Sequence, residues 1–181
     1  MMAFTARDPF HLLREIESRA RQYAAGLPKA DEGPEVWPGV GFAMGGAHFV
    51  TEVGNVTEMI TVPRLTRIPG VPAWVRGIAN IRGTLVPILD AYGCLAAAET
   101  KVSRLSRVLV VRESDTSTGI LVDEVSGLKH FPVTERSRDT DGFPEFARSI
   151  VDGSFQADGF RWGILDVRSL VKRSEFFQLG L

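Results

Sequence analysis

The polar side chains that stand out are Asn80 and Arg82, two positions apart in the run Gly77-Ile78-Ala79-Asn80-Ile81-Arg82-Gly83. Their chemistry is recognition rather than bond-making. A guanidinium stays charged throughout the working pH range and offers five donors in a planar fork suited to a partner's carboxylates and carbonyls. A β-turn has no use for such a group, so Arg82 is read as an interaction residue. An asparagine beside a turn can satisfy free backbone groups on its own, and that local role is the preferred reading of Asn80. Glu58, in the β-branched run Val56-Thr57-Glu58-Met59-Ile60-Thr61, has the parity opposite to Met59 and reads as a surface acid.

Catalytic chemistry finds little support. His11, His48 and His130 are the only histidines, and none has a second ligand at metal-binding spacing. His48 and His130 sit beside Phe49 and Phe131 in alternating runs and read as rim or half-buried strand residues. Cys94, the single cysteine, has no Cys-x-x-Cys neighbour and reads as a small packed hydrophobe. Asp123 and Glu124 are adjacent strand residues that point to opposite faces and so cannot share one substrate. Neither a phosphate-cradling glycine loop nor a nucleophile elbow occurs. No catalytic residue, metal or cofactor is expected, and an enzymatic reading would require a small β-barrel enzyme with Asp90, Asp123 or Arg82 in a cleft between two halves.

Composition agrees. A hydrophobic fraction of 44%, a charged fraction of 24% and a net charge of -1 describe an ordinary globular chain without an electrostatic case for nucleic acid. One cysteine and the lack of a long apolar stretch lead to the expectation of a cytoplasmic protein.

Ten short apolar runs must position the polar residues. Asp8 and Pro9 open a helix that Gly26 and Pro28 close. Leu12, Leu13, Ile16, Ala20, Tyr23, Ala24 and Leu27 form its apolar face, with i,i+4 pairs Glu15–Arg19 and Glu17–Arg21 outside it. A linker, Pro28 to Pro38, follows. Strands are expected at Val40–Met44, Ala47–Val53, Val56–Thr61, Gly77–Ile81, Leu85–Leu89, Val108–Arg112, Gly119–Val125, Leu128–Pro132, Ser149–Gln156 and Phe160–Leu165. Gly45-Gly46 and Asp158-Gly159 are hairpin turns. A weak duplication sets Val50-Thr51-Glu52-Val53 against Val122-Asp123-Glu124-Val125, 72 positions on. It also sets Ile88-Leu89-Asp90 against Ile164-Leu165-Asp166, 76 positions on. Two similar five-stranded units packed on each other would follow.

The combination Asn80-x-Arg82-Gly83, Val86-Pro87-Ile88-Leu89-Asp90, Trp74-Val75-x-Gly77-Ile78 and Val56-x-Glu58 resembles the signature of CheW-like domains. Gly119-Ile120-Leu121-Val122-Asp123-x-Val125 and Ile164-Leu165-Asp166 extend the likeness over roughly Trp37 to Phe176. The added N-terminal helix is similar to the PilI branch, which serves type IV pili and twitching. The resemblance implies a mainly β fold of two five-stranded SH3-like barrels joined at a hydrophobic interface. It divides the chain into a helix and linker (1–36), the CheW-like domain (37–176) and a short tail (177–181). Its implied partners are the regulatory domain of a CheA-type histidine kinase and the cytoplasmic tip of a chemoreceptor, with recruitment to membrane-associated arrays. By motif position, Val56, Glu58, Gly77, Asn80 and Arg82 would contact the receptor, and the region of Met59 and Asp90 the kinase. Ala79 and Ile81 stand where the family more usually has bulkier or different aliphatics, which alters local packing.

Overall fold

The computed structural model describes residues 9–23 and 35–172, and the chain divides into two units, Met1–Gly33 and Pro34–Leu181. In the first unit, α1 (Pro9–Tyr23) carries Phe10, Leu12, Leu13 and Ile16 exposed, and Arg19 reaches back one turn to Glu15 at 2.8 Å. The Asp8 cap, the Gly26–Pro28 stop and the 177–181 tail lie outside the described residues.

In the second unit all ten strands form. They are β1 (Val36–Met44), β2 (Ala47–Glu52), β3 (Glu58–Thr61), β4 (Val75–Ile81), β5 (Thr84–Asp90), β6 (Arg107–Glu113), β7 (Thr116–Val122), β8 (Glu124–Pro132), β9 (Ser154–Ala157) and β10 (Phe160–Ile164). Short helices α2 (Ala91–Ala96), α3 (Glu145–Arg148) and α4 (Val167–Val171) join them. Most boundaries shift by one to three residues from expectation, and three larger departures have a structural cause. β1 starts at Val36, inside the expected linker, because residues 36–38 pair with β8 alone and a proline is tolerated at that half-open edge. Val125 belongs to β8, since Asp123 leaves the sheet and donates its N–H to the Ala43 carbonyl at 2.9 Å. Ser149–Gly153 is not strand, because α3 precedes it directly.

The strands make two five-stranded curled sheets, ordered β8-β1-β2-β10-β9 and β3-β6-β7-β5-β4. The units are therefore interleaved and not consecutive: β1 and β2 complete the sheet that β8, β9 and β10 begin. Each sheet is antiparallel except for one parallel pair, β2 with β10 and β7 with β5. Ile88 lies opposite Gly119 and Ile164 opposite Val50. The shift of 76 between β5 and β10 is thus structural, but β2 superimposes on β7 three positions away from the expected register of 72.

The repeat extends to its fine detail. Ile78 bridges Thr66, and Ser154 bridges Ser137, each closing its sheet onto the segment that follows the edge strand. Gly77 and Gly153 precede these bridges at φ 136 and 151, and a Cβ on either would overlap the carbonyl oxygen of Thr66 or Ser137. Asp90 caps α2 through the Gly93 N–H, and Asp166 caps α4 through the Arg168 N–H, both at 2.9 Å. Burial pushes the Asp166 carboxyl up, but hydrogen bonds from Ser169 and the backbone, with the Arg168 charge, outweigh it and hold the group below the usual carboxylate range. The stability it adds is present above the unfolded-state value and fades as pH falls through the lower folded one.

Three apolar clusters fill the unit. Ala79, Val86, Ile88, Val108, Val110 and Leu121 fill the inside of one sheet, and Val50, Phe131, Phe155, Trp162 and Ile164 that of the other. Between the sheets, Phe42, Met44 and Phe49 meet Leu89, Leu109, Val111, Ile120 and Val122, with α3 and α4 packed around them. Gly77→Ala should lower the stability of the second unit by roughly 2 kcal/mol or more, read in urea, because the residue must hold a positive φ against the Thr66 backbone. Deleting Met1 to Pro28 should leave one cooperative melt at a similar temperature, since the core clusters lie wholly in the second unit.

Candidate docking surface

The β4–β5 hairpin pairs Asn80 with Leu85 and Ile81 with Thr84, so its turn consists of Arg82 and Gly83 alone. Their φ values of 51 and 87 are those of a primed hairpin turn, whose twist suits the flanking strands. Glycine or asparagine is the usual first residue there; any other residue meets a clash between its Cβ and the following carbonyl that costs about 1 kcal/mol. Arg82 takes the position with its side chain 85% exposed. Asn80 accepts the Gly83 N–H at 2.8 Å and so stabilises the turn, the local role its sequence position suggests.

Arg82 Nη2 lies 2.9 Å from Glu58 Oε2. β3 and β4 are the two outer strands of their sheet, so this pair reaches across the seam where the curled sheet closes. Glu58 is not the freely exposed acid expected: its side chain is 20% exposed. It shares the inward face of β3 with Ile60, which packs into the sheet's own core, and it meets Arg82 at the rim. Met59 takes the outward face and is exposed, as is Leu85 beside the turn.

Three expected contact residues stand behind this surface. Val56 is half-buried against the core between the sheets. Gly77 is buried under Thr66. Asp90 is 1% exposed, and its carboxylate accepts from the Gly93 N–H, the Thr100 N–H at 2.9 Å and the Thr100 hydroxyl at 2.6 Å, with Arg76 at 3.6 Å. Gly77 and Asp90 therefore shape the face and offer no side chain to a visitor. Leu85 was missed by the sequence reading; its place two residues past an exposed turn, with outward parity, was the available signal.

A groove of about 840 Å³ runs between the segment before β4 and α2, lined by Leu65, Ile68, Val71, Trp74, Arg76 and Asp90 among others. Neither Asp123 nor Arg82 lines it. The three groups of the enzymatic reading are not gathered in one cleft. Among the described residues no group of three or more His, Cys, Asp or Glu is arranged to hold a metal ion, and no helix is long and apolar enough to cross a membrane.

The sequence profile of the CheW-like domain matches residues 38–175. The chain belongs to that family. Protein PilI of Pseudomonas aeruginosa is 38% identical over 175 residues, spanning 97% of this chain and 98% of the relative. Chemotaxis protein CheW of Helicobacter pylori is 27% identical over 114 residues, 63% of this chain and 68% of its own. The crystal structure of the scaffolding protein TtCheW from Thermoanaerobacter tengcongensis superimposes with a TM-score of 0.67, covering 80% of this chain and 94% of that one at 20% identity. That likeness bears on the fold. It agrees with the two five-stranded sheets of this CheW-like domain.

Asp90→Ala should cost about 3 kcal/mol in denaturant unfolding, because it strips a helix cap and leaves Arg76 and Thr100 without their buried partner. Asn80→Ala, which removes one exposed turn bond, should cost only about 0.5–1 kcal/mol in the same measurement.

Proposed function

We propose that this chain is a non-enzymatic adaptor that couples chemoreceptors to a CheA-type histidine kinase in the chemosensory system controlling type IV pili and twitching. The observation that carries the reading is Arg82: a guanidinium held at positive φ on a two-residue turn, mostly exposed, with one edge on Glu58 and the rest of its donor fork directed to solvent. Strain kept at an exposed, chemically versatile side chain points to use by a partner. Exposed Met59 and Leu85 flank the pair and supply the apolar contact that affinity needs, while the charges supply orientation. Val56, Gly77 and Asp90 hold this face in shape from behind. The receptor tip would dock on the face of Glu58, Asn80 and Arg82, and the kinase regulatory domain beside Met59.

The mechanism is geometric. A rigid double sheet holds receptor and kinase in one relative placement, so that a small receptor shift biases the kinase between its active and inactive states. No cofactor enters, and the work takes place at the cytoplasmic side of a receptor array. A coupling protein of another chemosensory pathway is the second reading, supported by the relatives named CheW. The pilus reading gains from extent: the alignment with PilI spans 97% of the chain, including the region of α1, whereas the CheW-like profile begins at residue 38.

Arg82→Glu should abolish kinase activation in a mixture of receptor, kinase and adaptor while moving the melting temperature by only a few degrees, because an exposed ion pair contributes about 0–1 kcal/mol. Activation equal to that of the unaltered protein would rule the docking role out.

A further inference from the structure

Charge is unevenly placed in the second unit. Residues 62–76 and 91–107 carry six basic side chains, Arg64, Arg67, Arg76, Lys101, Arg104 and Arg107, against a single acid, Glu99, in a chain whose net charge is -1. Both segments lie at one end of the sheet β3-β6-β7-β5-β4. Thr61, the last residue of β3, pairs with Arg107, the first of β6, so residue 62 sets out from beside Arg107. The groove brings Arg67, Ile68 and Trp74 up against Cys94, Ala98 and Glu99. Thr100 is tied to Asp90 at the end of β5. The turn of Arg82 and Gly83 is at the opposite end of β4 and β5.

A structural use accounts for two of the six bases. Arg76 is held by Glu99 and Asp90, and Arg107 donates to the carbonyls of Arg104 and Ser106. Arg64, Arg67, Lys101 and Arg104 are exposed, and none of these four side chains has an ion-pair or hydrogen-bond partner among the described residues. Four uncompensated cations in one region create a local positive potential that attracts and orients an anionic partner.

Apolar surface accompanies the charge. Between the two basic segments the groove presents Leu65, Ile68, Val71 and Trp74, all half-buried. Val102 and Leu105 stand exposed between the bases of the second segment. An occupant that meets both demands carries carboxylates with apolar side chains beside them. A small carboxylate would reach one or two of the four cations, and a phosphate backbone would bring no aliphatic group to the groove. An extended stretch of acidic polypeptide reaches both segments and fills the space between them.

We infer that this end of the sheet is a binding site for an acidic segment of a partner protein, with its carboxylates on Arg64, Arg67, Lys101 and Arg104 and its apolar side chains in the groove. The site is separate from the Arg82 face and does not depend on what docks there. A protein engaged at the turn can therefore hold a further partner at the other end of the same rigid sheet. Exposed ion pairs are weak and screened, so binding is modest and falls as salt rises.

Fluorescence anisotropy of a dye-labelled heptapeptide, Glu-Leu-Glu-Phe-Asp-Leu-Glu, titrated with the purified full chain, tests this. Its Kd should be roughly 10 to 100 μM at about 0.05 M salt and should rise about tenfold on going to about 0.5 M. The same peptide with lysine at each acidic position should not bind. Arg64→Glu with Arg67→Glu, and separately Lys101→Glu with Arg104→Glu, should each weaken binding about tenfold or more while keeping a cooperative melt, because the altered side chains are exposed. Should the first pair disturb the fold because Arg67 lines the groove, the second pair decides. Arg112→Glu with Arg136→Glu changes the net charge equally, at the far end of β6 and after β8, and should bind the peptide as the unaltered chain does. Absence of binding, binding that survives both of the first double variants, or an equal loss in the third would overturn the proposal. So would tighter binding of a DNA duplex of about 20 base pairs, or of phosphatidylglycerol vesicles, since either would give the basic end to another class of partner.

Discussion

The second unit depends on strands buried on both faces. β6 sends Val108 and Val110 into its own sheet's core and Leu109 and Val111 into the core between the sheets. β7 divides Leu121 from Ile120 and Val122 in the same way, and β2 divides Val50 from Phe49. Alternating side chains with no polar face leave such strands no way to tolerate a one-residue slip, because the volumes on the two sides differ. Register is therefore fixed at the centre of the molecule. The curled sheets can in turn offer their rims as surfaces whose geometry does not drift.

That central constraint leaves most of the polar chemistry to the strand ends and the rims. Asp90 and Asp166 are the last residues before α2 and α4, where a carboxylate is useful as a cap and its burial is compensated by backbone donors and hydroxyls. Arg82 and Asp158 occupy the opposite ends of the same strand pairs, at turns too tight to carry anything but a positive-φ residue followed by glycine. Glu58 and Lys129 each reach such a turn from an edge strand and neutralise it across the seam. A curled sheet with its two edges held only by one isolated bridge gains from this, although the main-chain bonds at Thr66 and Ser137 and the inner clusters carry most of the closure.

Much of this was legible in the sequence, for local reasons. Period-two runs punctuated by glycine, proline and aspartate gave all ten strands, and Asp158-Gly159 read correctly as a hairpin. The Asp caps of α2 and α4 were visible as a repeated Leu-Asp. What was not legible is non-local. The exchange of β1 and β2 into the sheet of β8–β10 leaves no trace in periodicity, since a strand's pattern is the same whichever partner it pairs with. The repeat was set three residues out of register at β2 and β7 because Val-x-Glu-Val recurs there by coincidence, while the true equivalents, Val50 and Gly119, share no chemistry. Glu58 read as exposed because an acid in a β-branched run normally faces water. Its partner 24 positions away, which lets it face inward, appears only when the sheet curls. Gly77 and Asp90 looked like contact residues by motif position, and their roles as close-approach and capping residues required the fold.

The weakness of an exposed ion pair is an asset for a surface that exchanges partners. A buried pair would be costly to break, since each freed charge would be left without water or a counter-charge. At the rim, Arg82 can turn part of its fork to a visiting carboxylate while Glu58 still holds another part, and neither state strands a charge in apolar surroundings. The free energy to be won from such contacts is small, so selectivity must come from the arrangement of signs and from Met59 and Leu85 beside them, not from any single bond. Glu58 with Arg82 and Lys129 with Asp158 thus stand as ion pairs of opposite polarity at the two rims, held in register by the shared core.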